Sequence, residues 1–375
     1  MQILLLFWLP ASLLAADRVV GANATLDINA GARSSALGGT ILAIEHDLLG
    51  LASNPYQLAR THASEVAFSH TVYYEGTSYD YASLALPLGE YHGIGLAFSR
   101  FGADDIPWIK ETDPLPEGSD YRTLSIADWV FTLAWGKQFL EYFDAGVAFH
   151  GLYREMDQSG WGFRGDAGLS FEPHRSFAAS ALLKGWTSSA ARWESGEVEY
   201  SSPELYFALR FEQPIRYFYG ALLLYWQSAG IFHRENRDLD WNGEPRGGVL
   251  WHEPVHWLSG GHAGIEFRFD FGLSLRAGLS SLGELESWTA GSGLELSNWL
   301  SVDYAFESHP VLSSVHRVSL SFSPGRFFSP EKDYAPRKIR SAAPAPEKDF
   351  SPGENQENTA PEITEEDSGG THWEE

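Results

Sequence analysis

The sequence predicts an all-β chain: a transmembrane antiparallel β-barrel of about 14 strands, with an N-terminal plug, or hatch, and a disordered C-terminal tail. Three observations lead there. From 65 to 322 side chains alternate with period two between an apolar and a polar face, the mark of strands with two unlike surroundings. The alternating segments run about ten residues, the length a tilted strand needs to cross hydrocarbon. Their connections are short and long by turns, which a soluble sandwich has no reason to arrange.

Residues 1–16 read as a signal peptide. Ile3 to Leu14 is an apolar run too short for a bilayer-crossing helix, which takes about 20 residues, and Ala15-Ala16 before Asp17 suits cleavage. No later stretch is apolar for long enough to span as a helix, so an exported chain of this kind either crosses with strands or is soluble. The charge balance excludes another class. With 26 basic against 50 acidic residues, a net of −24, the chain is unsuited to nucleic acid, whose phosphates need clustered Lys and Arg. Cysteine is absent, which removes disulfides, thiolate metal sites, a lipidated cysteine and a cysteine nucleophile.

Residues 17–64 do not alternate. The stretch from Ala30 to Gly39 is small and flexible, 40–51 is mostly apolar around Glu45, His46 and Asp47, and Asn54-Pro55 marks a turn. A periplasmic segment of this size can fold back into the lumen as a hatch, with Asn54 and Pro55 at its turn. Glu45, His46 and Asp47 would then meet lumen arginines such as Arg276 or Arg317.

The strands follow at 65–74, 78–87, 93–101, 127–136, 144–155, 160–172, 176–186, 203–212, 216–228, 260–268, 271–280, 286–295, 299–307 and 314–322. Phe271 to Leu279 shows the rule: Leu273, Leu275 and Ala277 on one face, Ser274 and Arg276 on the other. Short connections include 172–175 and 212–215; long ones cover 102–126, 187–202 and 229–259. Turns face the periplasm in outer-membrane barrels, so an even count leaves both termini periplasmic. Trp and Tyr gather near strand ends, as at Tyr73, Trp129 and Trp288, where amphipathic rings suit the headgroup level. The polar faces carry Arg164, Asp166, Arg210, Glu266, Arg268, Arg276, Glu295, Asp303 and Arg317, a mixed-charge ladder that pairs with itself and with the plug or binds a polar ligand. Strand nine departs from the pattern. Phe218, Leu222, Leu224 and Trp226 read as inward, either an apolar lining for a greasy ligand or a contact with the hatch. After 322 the composition turns to Pro, Glu, Ser and Ala, so 323–375 is expected to be an acidic, solvated periplasmic tail, or a docking peptide.

Gly31-Ala-Arg-Ser-Ser-Ala-Leu-Gly-Gly39, Glu45-His-Asp47 and Asn54-Pro55 together resemble the N-terminal signature of FadL-like outer-membrane proteins, closest to the PorV/PorQ branch. Asp303 to Phe306 with His316 to Phe322 resembles that branch's last hairpin, so the resemblance brackets 31–322. Tyr56 stands where the family's hatch usually has alanine after Asn-Pro, and Phe322 stands in for a terminal aromatic because a tail follows. The chain is not expected to be an enzyme, and the resemblance implies two kinds of work. FadL-type members pass hydrophobic small molecules through the wall, guided by the hatch; PorV-type members serve type IX secretion, with secretion-system subunits as partners. Outer-membrane lipid is a partner in either case, and a soluble periplasmic β-protein is the third alternative.

Motifs of catalysis and metal binding do not hold up. His252-Glu-Pro-Val-His256 spells a zinc-protease motif, but Pro254 breaks the helix that would put both imidazoles on one face. Asp238 to Gly243 opens like a calcium loop, yet its twelfth place is Val249 instead of a bidentate glutamate. Gly160 to Gly165 spells a dinucleotide fingerprint but continues as a strand. No catalytic residue, metal or cofactor is expected.

Overall fold

Alternation with apolar side chains on the outer face has one stable solution in lipid, a sheet closed on itself so that no backbone edge is left unpaired. The computed structural model describes residues 23–108, 122–156, 158–187, 189–201, 203–230, 258, 260–280, 282, 287–309 and 313–328. The stretch expected to be a signal peptide, the loop motifs at 238–243 and 252–256 and the residues beyond 328 lie outside the described residues. The chain divides into two units, Met1–Arg337 and Lys338–Glu375, and all described residues belong to the first.

The wall begins with β1 (Glu65–Val72), β2 (Thr77–Pro87), β3 (His92–Trp108) and β4 (Arg122–Leu140). It continues with β5 (Phe143–Glu155), β6 (Ser159–His174) and β7 (Phe177–Lys184). A hairpin, β8 (Ser189–Trp193) and β9 (Val198–Ser201), comes next, then β10 (Glu204–Ile215), β11 (Gly220–Gln227) and β12 (His262–Phe269). The last are β13 (Leu273–Ser280), β14 (Ser287–Ser297), β15 (Leu300–Glu307) and β16 (Val315–Phe322). Every pairing is antiparallel, and the β5–β6 and β1–β16 pairings close the ring. The hairpin stands outside that ring: β8 pairs with the first residues of β6, at Gly160–Phe163, where β7 no longer covers them. Fourteen strands therefore make the barrel, at the positions the alternation predicts.

Differences lie at strand ends, each with a local reason. β3 and β4 extend well into what reads as a loop at 102–126, because a bulge at Asp104-Asp105, with Asp105 at φ 59, interrupts the alternation before pairing resumes at Ile106–Leu124. β10 runs through Pro214 to Ile215, and the turn follows at Arg216–Phe218, a 3-10 helix, with Tyr219 at φ 50. The hairpin in 187–202 is too short to register as alternation.

The wall is an inverted core. In β1, Ala67, Ser69 and Thr71 are buried, while Phe68 is 52% and Val72 51% exposed on the outer face. In β13, Ser274 and Arg276 are buried and Leu275 is 49% exposed. Apolar area repeated in this way around a whole ring exceeds what a soluble monomer tolerates and suits hydrocarbon.

Connections after β2, β4, β6, β10, β12 and β14 are tight turns at one end of the barrel, and the longer ones share the other end. Residues 23–64 lie against the inner wall as short helical turns: α1 (Ala32–Ala36) and 3-10 turns at Ala24–Asp27, Leu48–Gly50 and Pro55–Arg60. The sequence leads one to expect this segment to start at the short-turn end. Instead Asn23 bonds Ser189 and Ala190 of β8 at the long-loop end, and Arg60 reaches Asp144 and Glu172 at the short-turn end, where the chain enters β1. One pass down the lumen accounts for its length.

Candidate functional site

The lumen is the candidate site, and its shape starts from glycine. Gly93, Gly136, Gly146 and Gly168 face one another in register across β3 to β6, a smooth shelf on the inner wall. The turn Pro55–Arg60 lies on that shelf: a Cβ on Gly136 would sit 2.5 Å from the Pro55 carbonyl oxygen, and one on Gly168 2.8 Å from the Tyr56 ring. Across the barrel, Gly264 and Gly278 form a second shelf under Leu37 and Gly38. Gly38, after the C-cap Leu37 of α1, adopts φ 73, a left-handed conformation that only glycine takes without strain.

Small side chains around that turn make close docking possible. The Ala32 amide donates to Ser319 Oγ at 2.9 Å, Thr289 Oγ1 donates to the Ala36 carbonyl at 2.9 Å, and His262 Nδ1 lies 2.7 Å from the Gly38 carbonyl oxygen. Asn54 ties the segment to itself: its Nδ2 reaches the carbonyls of Ile41, Leu42 and Ile44 at 3.2–3.3 Å. Pro55 opens the following 3-10 turn, and the Tyr56 hydroxyl donates to the Leu42 carbonyl. The Asn-Pro-Tyr variant of the turn thus adds a hydrogen bond that alanine at the third place would lack.

Charged pairs fix the segment at three levels. At the long-loop end Asp27 meets Arg164 at 2.9 Å and Lys184 at 3.0 Å, while Asp128 accepts both from Thr25 and, twice at 2.8 Å, from Arg154. Midway, fully buried Glu266 accepts from Arg33 at 2.9 Å, Arg276 at 2.8 Å and the Tyr225 hydroxyl at 2.9 Å; Arg276 also reaches Asp303 at 2.5 Å. At the short-turn end Arg60 pairs with Asp144 and Glu172, and Arg210 with Glu172 and Glu45. Burial alone would raise the Glu45 carboxyl, but the Arg210 guanidinium outweighs it and holds it at about 2. Burial drives the His46 imidazole down to about 4 and pushes the Asp47 carboxyl up to about 6. Buried charges kept in such sets contribute little net stability, yet removing one member strands the others.

The remaining sector is apolar. Leu48, Leu49, Leu51 and Leu58 pack against Tyr79, Tyr81, Ala85 and Ala97 of β2 and β3, with Ile28 at the margin. A cavity of about 20 Å³ lies there, bounded by Ile28, Leu49, Tyr79, Tyr81, Val130 and His150. The wall is thus greasy over β2 and β3, charged groups line β4 to β7, β10, β12, β13, β15 and β16, and a second apolar cluster spans β7, β10 and β11.

Sequence reasoning placed several of these groups and misplaced others. Arg276 and Arg317 are both inward and buried, Arg317 bonding Thr71 at 2.7 Å, Tyr73 at 3.0 Å and Ser35 of the segment. Glu45 meets Arg210, not Arg276 or Arg317, and Asp47 caps its own turn by accepting from the Leu49 amide at 3.2 Å. The inward assignment of Phe218, Leu222, Leu224 and Trp226 is corrected. Leu223, Tyr225 and Gln227 face the lumen against Leu37 and Leu42, whereas Leu224 is 43% exposed outside and Phe218 56% exposed in the turn after β10. Both faces of β11 are apolar by composition, so alternation carries no phase there. The Gln227 carboxamide, accepting from the Ile41 and Leu42 amides at 2.9 and 3.1 Å, supplies it. Tyr79 and Tyr81 went unassigned because β2 turns its polar Ser78 and Asp80 outward, against the general pattern. Gly160 to Gly165 lies within β6. Among the described residues no group of three or more His, Cys, Asp or Glu is placed to hold a metal ion.

No family model matches the chain, and no curated relative does. Solved structures with similar architecture include the Ralstonia pickettii toluene transporter TbuX, at 10% identity and TM-score 0.49 over 78% of this chain and 98% of that one. The P. putida toluene transporter TodX gives 13% and 0.49 over 78% and 98%. A Pseudomonas aeruginosa FadL homologue gives 11% and 0.43 over 82% and 100%. At such identities nothing about this chain's cargo follows from theirs.

Proposed function

We propose that the chain is an outer-membrane barrel that passes hydrophobic small molecules, with residues 23–64 as the hatch and the short-turn end towards the periplasm. The observation that carries this reading is the divided lumen. Charged sets hold the segment against the wall from β4 round to β16, whereas in the sector of β2 and β3 it rests through leucines on Tyr79, Tyr81 and small alanines. Apolar contacts are non-directional, so a hydrocarbon can replace a leucine there at little cost, whereas a sugar or ion would have to be desolvated. The greasy sector is therefore the path and the polar sector the hinge. Service in protein secretion, the other activity the resemblance implies, needs no greasy sector.

Proteoliposomes holding the full chain test it. Apolar N-phenylnaphthylamine should equilibrate across them faster than across empty vesicles, with glucose excluded from both. Equal rates for the apolar probe with and without protein would overturn the transport reading.

A further inference from the structure

On the outer face of β1 to β3 the apolar rule fails. His70 of β1, Asp80 of β2 and Arg100 of β3 stand on the outward face in a single cross-strand row. His70 Nδ1 lies 2.7 Å from Asp80 Oδ1, and both side chains are more than half exposed. Arg100 gives Nη2 to the two Asp104 oxygens at 3.0 and 3.1 Å and lies over the Trp129 ring at 5.5 Å. Register continues the row through Trp129 to Tyr153 on one side and through Val318 to Tyr304 on the other. Such an aromatic row marks headgroup level. Directly beneath, towards the short-turn end, the wall recedes into a cavity of about 460 Å³ lined by Phe68, Ala82, Phe98 and Leu320.

We propose that this recess binds one zwitterionic phosphoethanolamine lipid of the surrounding bilayer, its ammonium on Asp80, its phosphate on Arg100 and one acyl chain along the apolar lining. Charge complementarity selects that occupant. Two signs stand side by side at headgroup level, above an apolar recess. A lipid whose head carries only negative charge would bring no cation to the Asp80 carboxylate, which has only the His70 imidazole beside it. A quaternary ammonium matches the charge but has no N–H to donate to the carboxylate. The site is independent of what crosses the lumen.

Native mass spectrometry of the full chain, released from nanodiscs with equal phosphatidylethanolamine, phosphatidylcholine and phosphatidylglycerol, tests it. One phosphatidylethanolamine should stay bound in preference to the others. Asp80→Asn and Arg100→Gln should each cut its retention about tenfold, the worth of one charged hydrogen bond. Ala82→Phe, which fills the recess and keeps the charges, should do the same, and heat-modifiable migration will verify that each variant is folded. Equal retention of the three lipids, no retained lipid, or variants that hold it as the parent does would each overturn the proposal.

Discussion

Replacing Gly146 by alanine tests the seating of the hatch most locally. An ideal Cβ at that position lies 2.5 Å from both the Pro55 carbonyl carbon and the Tyr56 nitrogen, and 2.7 Å from the Pro55 oxygen. These are backbone atoms, so no side chain can swing aside; the turn at Asn54-Pro55 must lift by about 1 Å to restore ordinary contact. Overpacking of this kind costs about 1–3 kcal/mol, which shifts the ratio of seated to displaced hatch by about 5- to 150-fold. Gly151, five residues on in the same strand, has nothing within 4 Å of its own ideal Cβ and serves as control. Planar-bilayer recording should show frequent openings for Gly146→Ala and parental silence for Gly151→Ala, with both barrels equally resistant to SDS when unheated. Equal silence in the two variants would refute the reasoning that the hatch rests on this shelf.

Other outcomes follow from the charged sets and the wall. Glu266→Ala leaves Arg33 and Arg276 facing each other without their shared carboxylate, and should lower the urea-unfolding free energy by about 3–5 kcal/mol; a change below 1 kcal/mol, roughly that of a surface pair, contradicts it. The Glu45 carboxyl falls from an ordinary 4.5 to about 2, so its pairing with Arg210 contributes fully above 4.5 and is lost as pH falls through 2. Proteolysis within 23–64 of the inserted protein should therefore quicken below pH 4.5 and do so less in Glu45→Gln, which has no such charge to lose. Leu275→Arg puts a charge on the lipid face at a cost of about 2–4 kcal/mol and should reduce assembled barrel, read as heat-modifiable protein in membranes; assembly equal to Leu275→Phe would contradict the outward phase of β13.

The fold was legible because lipid inverts a simple rule. Strands such as β13 and β16 carry one unmixed apolar face, and alternation then yields existence, phase and direction together. Composition leaves the phase open on β11, where Leu222 to Trp226 carries no polar mark on either face, and misleads on β2, whose Ser78 and Asp80 face outward. The ends of β3 and β4 were lost at the Asp104-Asp105 bulge. Partners in the lumen were less legible. A lumen arginine announces that it needs an acid without saying which, and Arg210 found Glu45 and Glu172 because the direction of the segment put them at its level. Nothing in residues 17–64 encodes that direction. Glycine shelves are hidden for another reason, since Gly93, Gly136, Gly146 and Gly168 become a row only after register is known.

The central claim is that residues 23–64 close a lumen that would otherwise be open. A fourteen-strand ring encloses more room than its own side chains fill. The direct measurement compares, in planar bilayers, the intact chain with one lacking 31–59, which removes α1, the Asn54-Pro55 turn and the leucines that face Tyr79 and Tyr81. The intact protein should be nearly silent and the deleted one, inserted and heat-modifiable, should conduct ions steadily. A deleted barrel that is properly inserted and as silent as the intact one contradicts the account.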